Sequence, residues 1–168
     1  MAIRTVQRRR AGRRTPSEQA IRAFAAQAEV LRTEFRVRAS GGPRPPWDTK
    51  WGYLKCQVYA LTRRLISEGD ADVIEAVVHS HGKDPPGISF EQNPFHWALI
   101  AIDAPDFALM KRGVRRRLAN ELLVADRHDV PVIYLVGFLY QLGGSIDIHE
   151  RAQQGRRARM VTQLSRLG

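Results

Sequence analysis

Two stretches of sequence decide the fold, SEQAIRAFAAQAEVLRTEF at residues 17–35 and WGYLKCQVYALTRRL at residues 51–65. In both stretches apolar side chains recur at spacings of 3, 4, 3 and 4. Those positions are Ile21, Phe24, Ala28, Leu31 and Phe35 in the first stretch and Trp51, Leu54, Val58, Leu61 and Leu65 in the second. This is the period of a helix that packs along one face, and two matched faces predict an antiparallel helical hairpin.

The ends of both helices carry their own signals. Thr15, Pro16 and Glu18 fit a capping box with proline at the first helical position. The glycines and prolines of residues 40–46 bar continuation, because glycine permits a left-handed cap and proline lacks the N–H that a helix needs. We expect the second helix to begin near Asp48 and to end at Gly69.

The rest of the chain also has helical patterns, some of them ambiguous. Asp70 is expected to cap a short third helix, and residues 95–102 fit either a helix or a buried strand. A long helix is expected directly after Asp106. Residues 132–142 are apolar nearly all round, which predicts a helix at the centre of the core, with a strand over residues 130–138 as the alternative. Ser145 is expected to begin a last helix.

Length and composition indicate one domain. A chain of 168 residues with 43% hydrophobic residues can bury one ordinary core. Residues 1–14 contain six arginines and no acidic residue, and too few apolar side chains to order themselves. We therefore expect an all-α, single-domain helical bundle of about five to six helices over residues 15–168, preceded by a disordered, flexible basic N-terminal arm over residues 1–14.

The charge is strongly positive and unevenly placed. The 27 Lys and Arg outnumber the 17 Asp and Glu, which leaves a net charge of +10. Residues 1–47 hold 11 basic and 3 acidic side chains, residues 48–106 hold 5 and 9, and residues 107–168 hold 11 and 5. Such an excess attracts polyanions, so nucleic acid is the first partner to consider, ahead of an anionic membrane. The alternative is the codon usage of a GC-rich genome, since 23 of the 27 are Arg.

Three basic clusters are the candidate nucleic-acid-binding residues. Separate clusters favour contact along a phosphate backbone, since base reading needs a few side chains presented by one element. Arginine suits this role because its planar fork matches phosphate oxygens. The clusters are Arg8, Arg9, Arg10, Arg13 and Arg14 in the arm, Lys111, Arg112, Arg115 and Arg116 on the fifth helix, and Arg156, Arg157 and Arg159 near the C-terminus. Arg117 is expected to pair with Glu121 four residues on.

Aromatic side chains near the hairpin loop could stack on bases of a single strand. The candidates are Trp47, Trp51, Tyr53 and Tyr59. Trp51 lies on the apolar face of its helix, which favours a role in the core.

Catalytic and metal sites are not expected, so we predict neither enzymatic activity nor a cofactor. His79 and His81 are two apart, whereas zinc ligands on a helix need a spacing of three or four. Residues 149–153 read HERAQ, which lacks the second histidine of a zincin motif. Cys56 is the only cysteine, as suits a reducing cytoplasm, and no apolar run is long enough to span a membrane.

Four features of the chain point to one known family. They are the small size, the helix-only organisation, the apolar segment 132–142, and the arginine faces at Arg112, Arg115 and Arg116 and at Arg156, Arg157 and Arg159. In these features the chain resembles the small α-helical subunit of CRISPR effector complexes. This resemblance implies a non-catalytic subunit of a larger ribonucleoprotein. It further implies several copies stacked side by side, in contact with other protein subunits, that line RNA or DNA strands without cutting them.

Two other functions fit parts of the sequence. A winged-helix or helix-turn-helix regulator would use residues 117–123 as its first helix and residues 129–142 as its second, although the second offers few polar side chains to a groove. A basic protein-interaction module, such as an inhibitor, would dock its cationic faces on an acidic protein surface.

Overall fold

The computed structural model describes residues 15–81 and 87–142, and every regular element in these ranges is helical. The elements are α1 (Glu18–Ala39), α2 (Lys50–Glu68), α3 (Asp72–Ser80), α4 (Pro94–Asp103), α5 (Arg112–Arg127) and α6 (Leu135–Gln141), with a 3-10 turn at Val132–Tyr134 before α6. The prediction of an all-α bundle is thereby confirmed. The basic arm and the last predicted helix lie outside the described residues.

Helices α1 and α2 form the antiparallel hairpin that their shared period predicts. Phe35 near the end of α1 meets Trp51 at the start of α2, edge to face with ring centroids 4.9 Å apart. At the other end of the pair, the Arg64 guanidinium donates to the Gln27 side chain at 3.0 Å. Leu54 and Val58 are fully buried between the helices. The 3, 4, 3, 4 rhythm therefore marks the packed faces of both helices.

The helix ends differ from their predicted positions by small steps. Ser17, and not Thr15, caps α1, since its Oγ accepts from the Ala20 N–H at 3.1 Å. Thr49 caps α2 in the same way, and Gly69 ends α2 in the left-handed conformation with φ of 84°. Helix α3 begins at Asp72 without a side-chain cap, so the cap predicted at Asp70 is absent.

Helix α4 settles the ambiguity of residues 95–102. Asn93 caps it by accepting from the His96 N–H at 3.1 Å, and Pro94 takes the first helical position, where no N–H is needed. Ser89 and Gln92 bond each other's backbone N–H groups reciprocally in a turn before the helix. Every side chain from Phe95 to Asp103 is buried, so α4 is the central helix of the bundle.

The segment after α5 was predicted to be a helix at the centre of the core; it is helical, but the predicted central position is wrong. It forms the 3-10 turn and the seven-residue helix α6, of which only Leu135 and Leu139 are buried. Ile133, Tyr134 and Tyr140 are 82%, 63% and 87% exposed. A short helix that packs by one i, i+4 line leaves its other faces in water. The alternative strand over residues 130–138 is absent as well.

Three long-range contacts bring two loops to the same end of the bundle. Lys55 and Arg63 of α2 pair with Glu121 and Asp126 of α5 in the same order, so these two helices run in the same direction. Arg32 of α1 donates to the Ile102 carbonyl at 2.8 Å, where α4 ends. Residues 40–49 and 104–111 therefore connect their helices at one end, which we call the loop end.

Candidate nucleic-acid interface

Many basic side chains are neutralised within the fold. Arg22 bonds Glu18 on the surface of α1, and Lys55 bonds the buried carboxylate of Glu121 with 2.6 Å between Nζ and Oε2. Ion pairs of this kind reduce the positive potential that a polyanion would meet. The basic residues within salt-bridge distance of a described carboxylate are Arg22, Arg32, Arg38, Arg44, Lys55, Arg63, Arg64 and Arg115.

Four basic side chains at the start of α5 differ from these. Lys111, Arg112, Arg116 and Arg117 are all exposed, and none forms an ion pair with a carboxylate of residues 15–81 or 87–142. We call these four residues the α5 patch. Because they are adjacent on one helical end and unneutralised, they form a concentrated positive surface at the loop end.

The position of the α5 patch opposes helix stability. The N-terminus of a helix carries a partial positive charge, so cations in the first turn, here Lys111 and Arg112, are unfavourable by roughly 0.3–1 kcal/mol each. Arg112 and Arg116 are like charges four residues apart, which costs a few tenths of a kcal/mol more. Helix α5 has no acidic residue in its first turn, and Lys111 at the N-cap makes no side-chain capping bond. Such a loss of helix stability is expected at an anion-binding site, because the N–H groups at a helix start and the nearby cations both attract the anion.

Arg115 belongs to the interior and not to the predicted stripe. Its side chain is 12% exposed, and Nη2 donates to Oδ2 of Asp103 at 2.6 Å. The other oxygen of Asp103 accepts from the Leu109 N–H at 2.8 Å. Because these bonds hold residues 104–111 in a loop, α5 starts at Arg112 and not directly after Asp106. Arg115 is therefore left out of the candidate interface.

Arg117 is a further candidate for the nucleic-acid interface, although the sequence pattern predicted that it would pair with Glu121. Its expected partner Glu121 is bonded to Lys55 of α2 instead. The side chain of Glu121 is 6% exposed and faces the interior, whereas Arg117 faces water. The signal that could have found Arg117 is its place in the run Arg115–Arg116–Arg117, which covers three directions around a helix.

The two other predicted basic clusters lie outside the described residues. They are Arg8, Arg9, Arg10, Arg13 and Arg14 in the arm and Arg156, Arg157 and Arg159 near the C-terminus.

Of the four aromatic candidates for base stacking, only Trp47 presents most of its surface to water. It is 65% exposed in the loop between α1 and α2. Tyr59 is fully buried, stacks on Phe95 and donates its hydroxyl to the Val130 carbonyl at 2.9 Å. Burial raises the pKa of Tyr59. The predicted stacking role of Tyr59 is excluded by this burial.

Tyr53 and Trp51 are also partly occupied by the protein. The Arg38 guanidinium lies 3.9 Å from the centroid of the Tyr53 ring, and Trp51 packs on Phe35. Burial raises the pKa of Tyr53. Both rings therefore pack against side chains of α1 within the hairpin.

A catalytic arrangement is not evident in the described ranges. No group of three metal-ligating side chains occurs there. A groove of about 430 Å³ lies between α1 and α2, and its polar lining consists of Gln27, Tyr53, Gln57 and Arg64. The groove has no carboxylate, histidine or cysteine to move a proton or act as a nucleophile. Nearby Cys56 is half-buried, and burial raises the pKa of its thiol.

None of the helices described here combines the length and the apolar character needed to cross a lipid bilayer. The sequence matches no family model, and neither a curated protein nor a solved structure shows significant similarity to it.

Proposed function

We propose that this chain is a non-catalytic, helical protein that binds the phosphate backbone of nucleic acid through the α5 patch. The observation that carries the proposal is the contrast between the patch and most of the other described cations. Eight described basic side chains are ion-paired within the fold, whereas Lys111, Arg112, Arg116 and Arg117 stand exposed and unpaired side by side. Phosphate is the ligand that such a surface fits best, since it accepts both charge and several hydrogen bonds.

The patch favours backbone contact over the reading of base sequence. Helix α6, the predicted recognition helix of a helix-turn-helix regulator, is seven residues long and contains no charged side chain. A recognition helix needs polar side chains that face a groove. Helix α5 itself offers cations on its exposed side and buries the apolar side chains from Leu118 onward. Affinity without strong sequence preference is therefore expected.

The experiment compares two triple variants with equal loss of charge. One replaces Arg112, Arg116 and Arg117 by Gln, and the other replaces Arg22, Arg64 and Arg127, which are exposed toward the opposite end of the bundle. Each cation that contacts phosphate adds about 0.7 to the salt slope of single-strand binding, so the first variant should lower that slope by about 2.

The control variant should keep most of the slope and the affinity. Equal losses for both variants would show that only net charge matters and would contradict the assignment of the site to the α5 patch. Absence of binding by the wild-type chain to RNA, single-stranded DNA and duplex would contradict the proposed function itself.

The proposal includes action in several copies within a larger ribonucleoprotein. One feature supports self-association: residues 130–146 are the longest stretch without a charged side chain, and within it Ile133, Tyr134 and Tyr140 are exposed. Two copies with a net charge of +10 repel each other, so an uncharged face is where they can meet at least cost.

A further inference from the structure

We infer that Trp47 and Lys50 extend the α5 patch into a site for single-stranded nucleic acid, in which the Trp47 indole stacks on a base. The inference rests on the proposed function and adds the class of ligand to it. Its parts are an exposed indole on a well-held turn, an ammonium group three residues along the chain that has no described carboxylate partner, and the position of both at the loop end.

The turn that presents Trp47 is closely held by its neighbours. The N–H groups of Asp48 and Thr49 both donate to the Pro45 carbonyl, at 2.9 and 3.1 Å. The Thr49 hydroxyl donates to the Pro46 carbonyl at 2.9 Å and accepts from the Gly52 N–H at 3.1 Å. A Cβ on Gly52 would lie only 2.0 Å from the Pro46 oxygen, so the turn rests directly on the first turn of α2. A turn held in this way loses little backbone freedom when the Trp47 indole binds a base.

The charges around Trp47 suit an anionic chain. Asp48 accepts from Arg38 at 3.0 Å and from Arg44 at 2.7 Å, so its carboxylate is neutralised. Lys50 lies above two rings, with Nζ 5.8 Å from the Phe35 centroid and 5.5 Å from the Trp51 centroid. It has no ion pair with a described carboxylate and remains available to phosphate.

Chain direction places this aromatic group at the same end of the bundle as the α5 patch. Helices α2 and α5 run in the same direction, so Lys50 and Arg112 begin their helices at the same end of the bundle. Asp106 is also exposed at this end and is the carboxylate that a bound strand must avoid.

Cations next to an exposed aromatic ring are the combination that binds a single strand, because its bases are free to stack. The bases of a duplex are already stacked on each other, so a duplex would gain only the phosphate contacts.

The test measures the affinity and the tryptophan fluorescence of the full chain with oligo(U), oligo(dT) and a random duplex. Trp47→Leu should weaken binding of both single strands by about tenfold and remove most of the fluorescence quenching, because a stacked base is lost. Trp47→Phe keeps an aromatic face and should restore most of the affinity. Duplex binding should stay unchanged in both variants.

Val30→Ala is the matched control, since Val30 is a large apolar side chain that is 59% exposed on α1, outside the loops of residues 40–49 and 104–111. It should leave single-strand affinity unchanged. If Trp47→Leu binds single strands like the wild type while the Arg112, Arg116 and Arg117 variant does not, the stacking inference is overturned and the proposed function stands. If Trp47→Leu reduces self-association alone, Trp47 is a protein contact and the inference is also overturned.

Discussion

Arg115 donates to the buried carboxylate of Asp103 across 2.6 Å and thereby ties the first turn of α5 to the last turn of α4. The Asp103 side chain is completely buried, and its second oxygen holds the Leu109 N–H. One carboxylate thus fixes both the loop of residues 104–111 and the start of the helix that carries the α5 patch. The neighbours of Arg115 in the basic run are directed outward because this arginine is directed inward.

Removal of Asp103 should strongly destabilise the fold. Asp103→Ala leaves the Arg115 guanidinium buried without its counterion, and the loss of one partner of a buried pair costs roughly 3 kcal/mol or more. Urea denaturation followed by circular dichroism measures the free energy of unfolding. The control is Arg116→Gln, one residue away but exposed, which should change that free energy by less than about 0.5 kcal/mol. Similar values for the two variants would show that the buried pair is not structural.

Neutralising the α5 patch should raise stability while it lowers affinity for nucleic acid. Arg112→Gln removes a cation from the first turn of α5, and Arg116→Gln removes the like charge four residues on from Arg112, so each should stabilise the chain by a few tenths of a kcal/mol. Lys111→Asp adds an N-cap acceptor as well and should contribute about 1 kcal/mol. Thermal unfolding and the binding of single strands are measured on the same samples. A fall in both quantities would mean that these side chains stabilise the fold, which would remove the physical reason for the proposed site.

The helices that the sequence predicts correctly are those whose pattern depends on neighbours along the chain. The packed faces of α1 and α2 are visible in the sequence because only one face of each helix is buried, which imposes a period on the apolar residues. The burial of α4 on all sides erases that period, so residues 95–102 could not be assigned until Asn93 and Pro94 were seen to start a helix. Residues 132–142 have the same apolar character, but of these only Leu135 and Leu139 are buried, because α6 packs along one line only.

The candidate site could be predicted as a region but not residue by residue. Arg115 and Arg117 exchanged their expected roles, because their environments depend on Asp103 of α4 and Lys55 of α2. A helical i, i+4 rule sees only the helix itself and compares pairs that are worth a few tenths of a kcal/mol. Contacts between a buried carboxylate and a cation of a different helix exceed that energy and decide which arginine reaches solvent.

Acid should loosen the loop that carries Trp47. The Arg44 guanidinium, and then that of Arg38, lower the pKa of Asp48 below its ordinary value of 3.8. A carboxylate whose pKa is lowered in the folded state contributes stability that is fully present above pH 3.8 and is lost as the pH falls through the folded pKa. Asp48→Asn should therefore melt at a lower temperature than the wild type at pH 6. The difference between the two melting temperatures should shrink as the pH falls below 3.8.

The Asp48 prediction has an internal comparison. The pKa of Glu29 is lowered in the same direction, mainly by its hydrogen bond from Arg32, so part of the acid sensitivity should persist in Asp48→Asn. The pKa of Asp126 is shifted in the opposite direction, because burial raises it. The contribution of Asp126 to stability therefore declines as the pH rises. A melting temperature of Asp48→Asn that runs parallel to that of the wild type from pH 6 to pH 2.5 would contradict the coupling of Asp48 to Arg44 and Arg38.

A charge on the exposed face of α6 should abolish self-association. Tyr140→Lys places an ammonium group on the uncharged stretch, so two copies that meet there would bring like charges together at short distance. Val37→Lys is the matched control, because Val37 is 51% exposed on α1 and gains the same charge. Sedimentation velocity over a range of protein concentrations, with and without long single-stranded nucleic acid, should show assemblies for the wild type and for Val37→Lys but monomers for Tyr140→Lys. A wild-type chain that stays monomeric in every condition would exclude the multi-copy part of the proposal, and equal assembly by both variants would place the contact elsewhere.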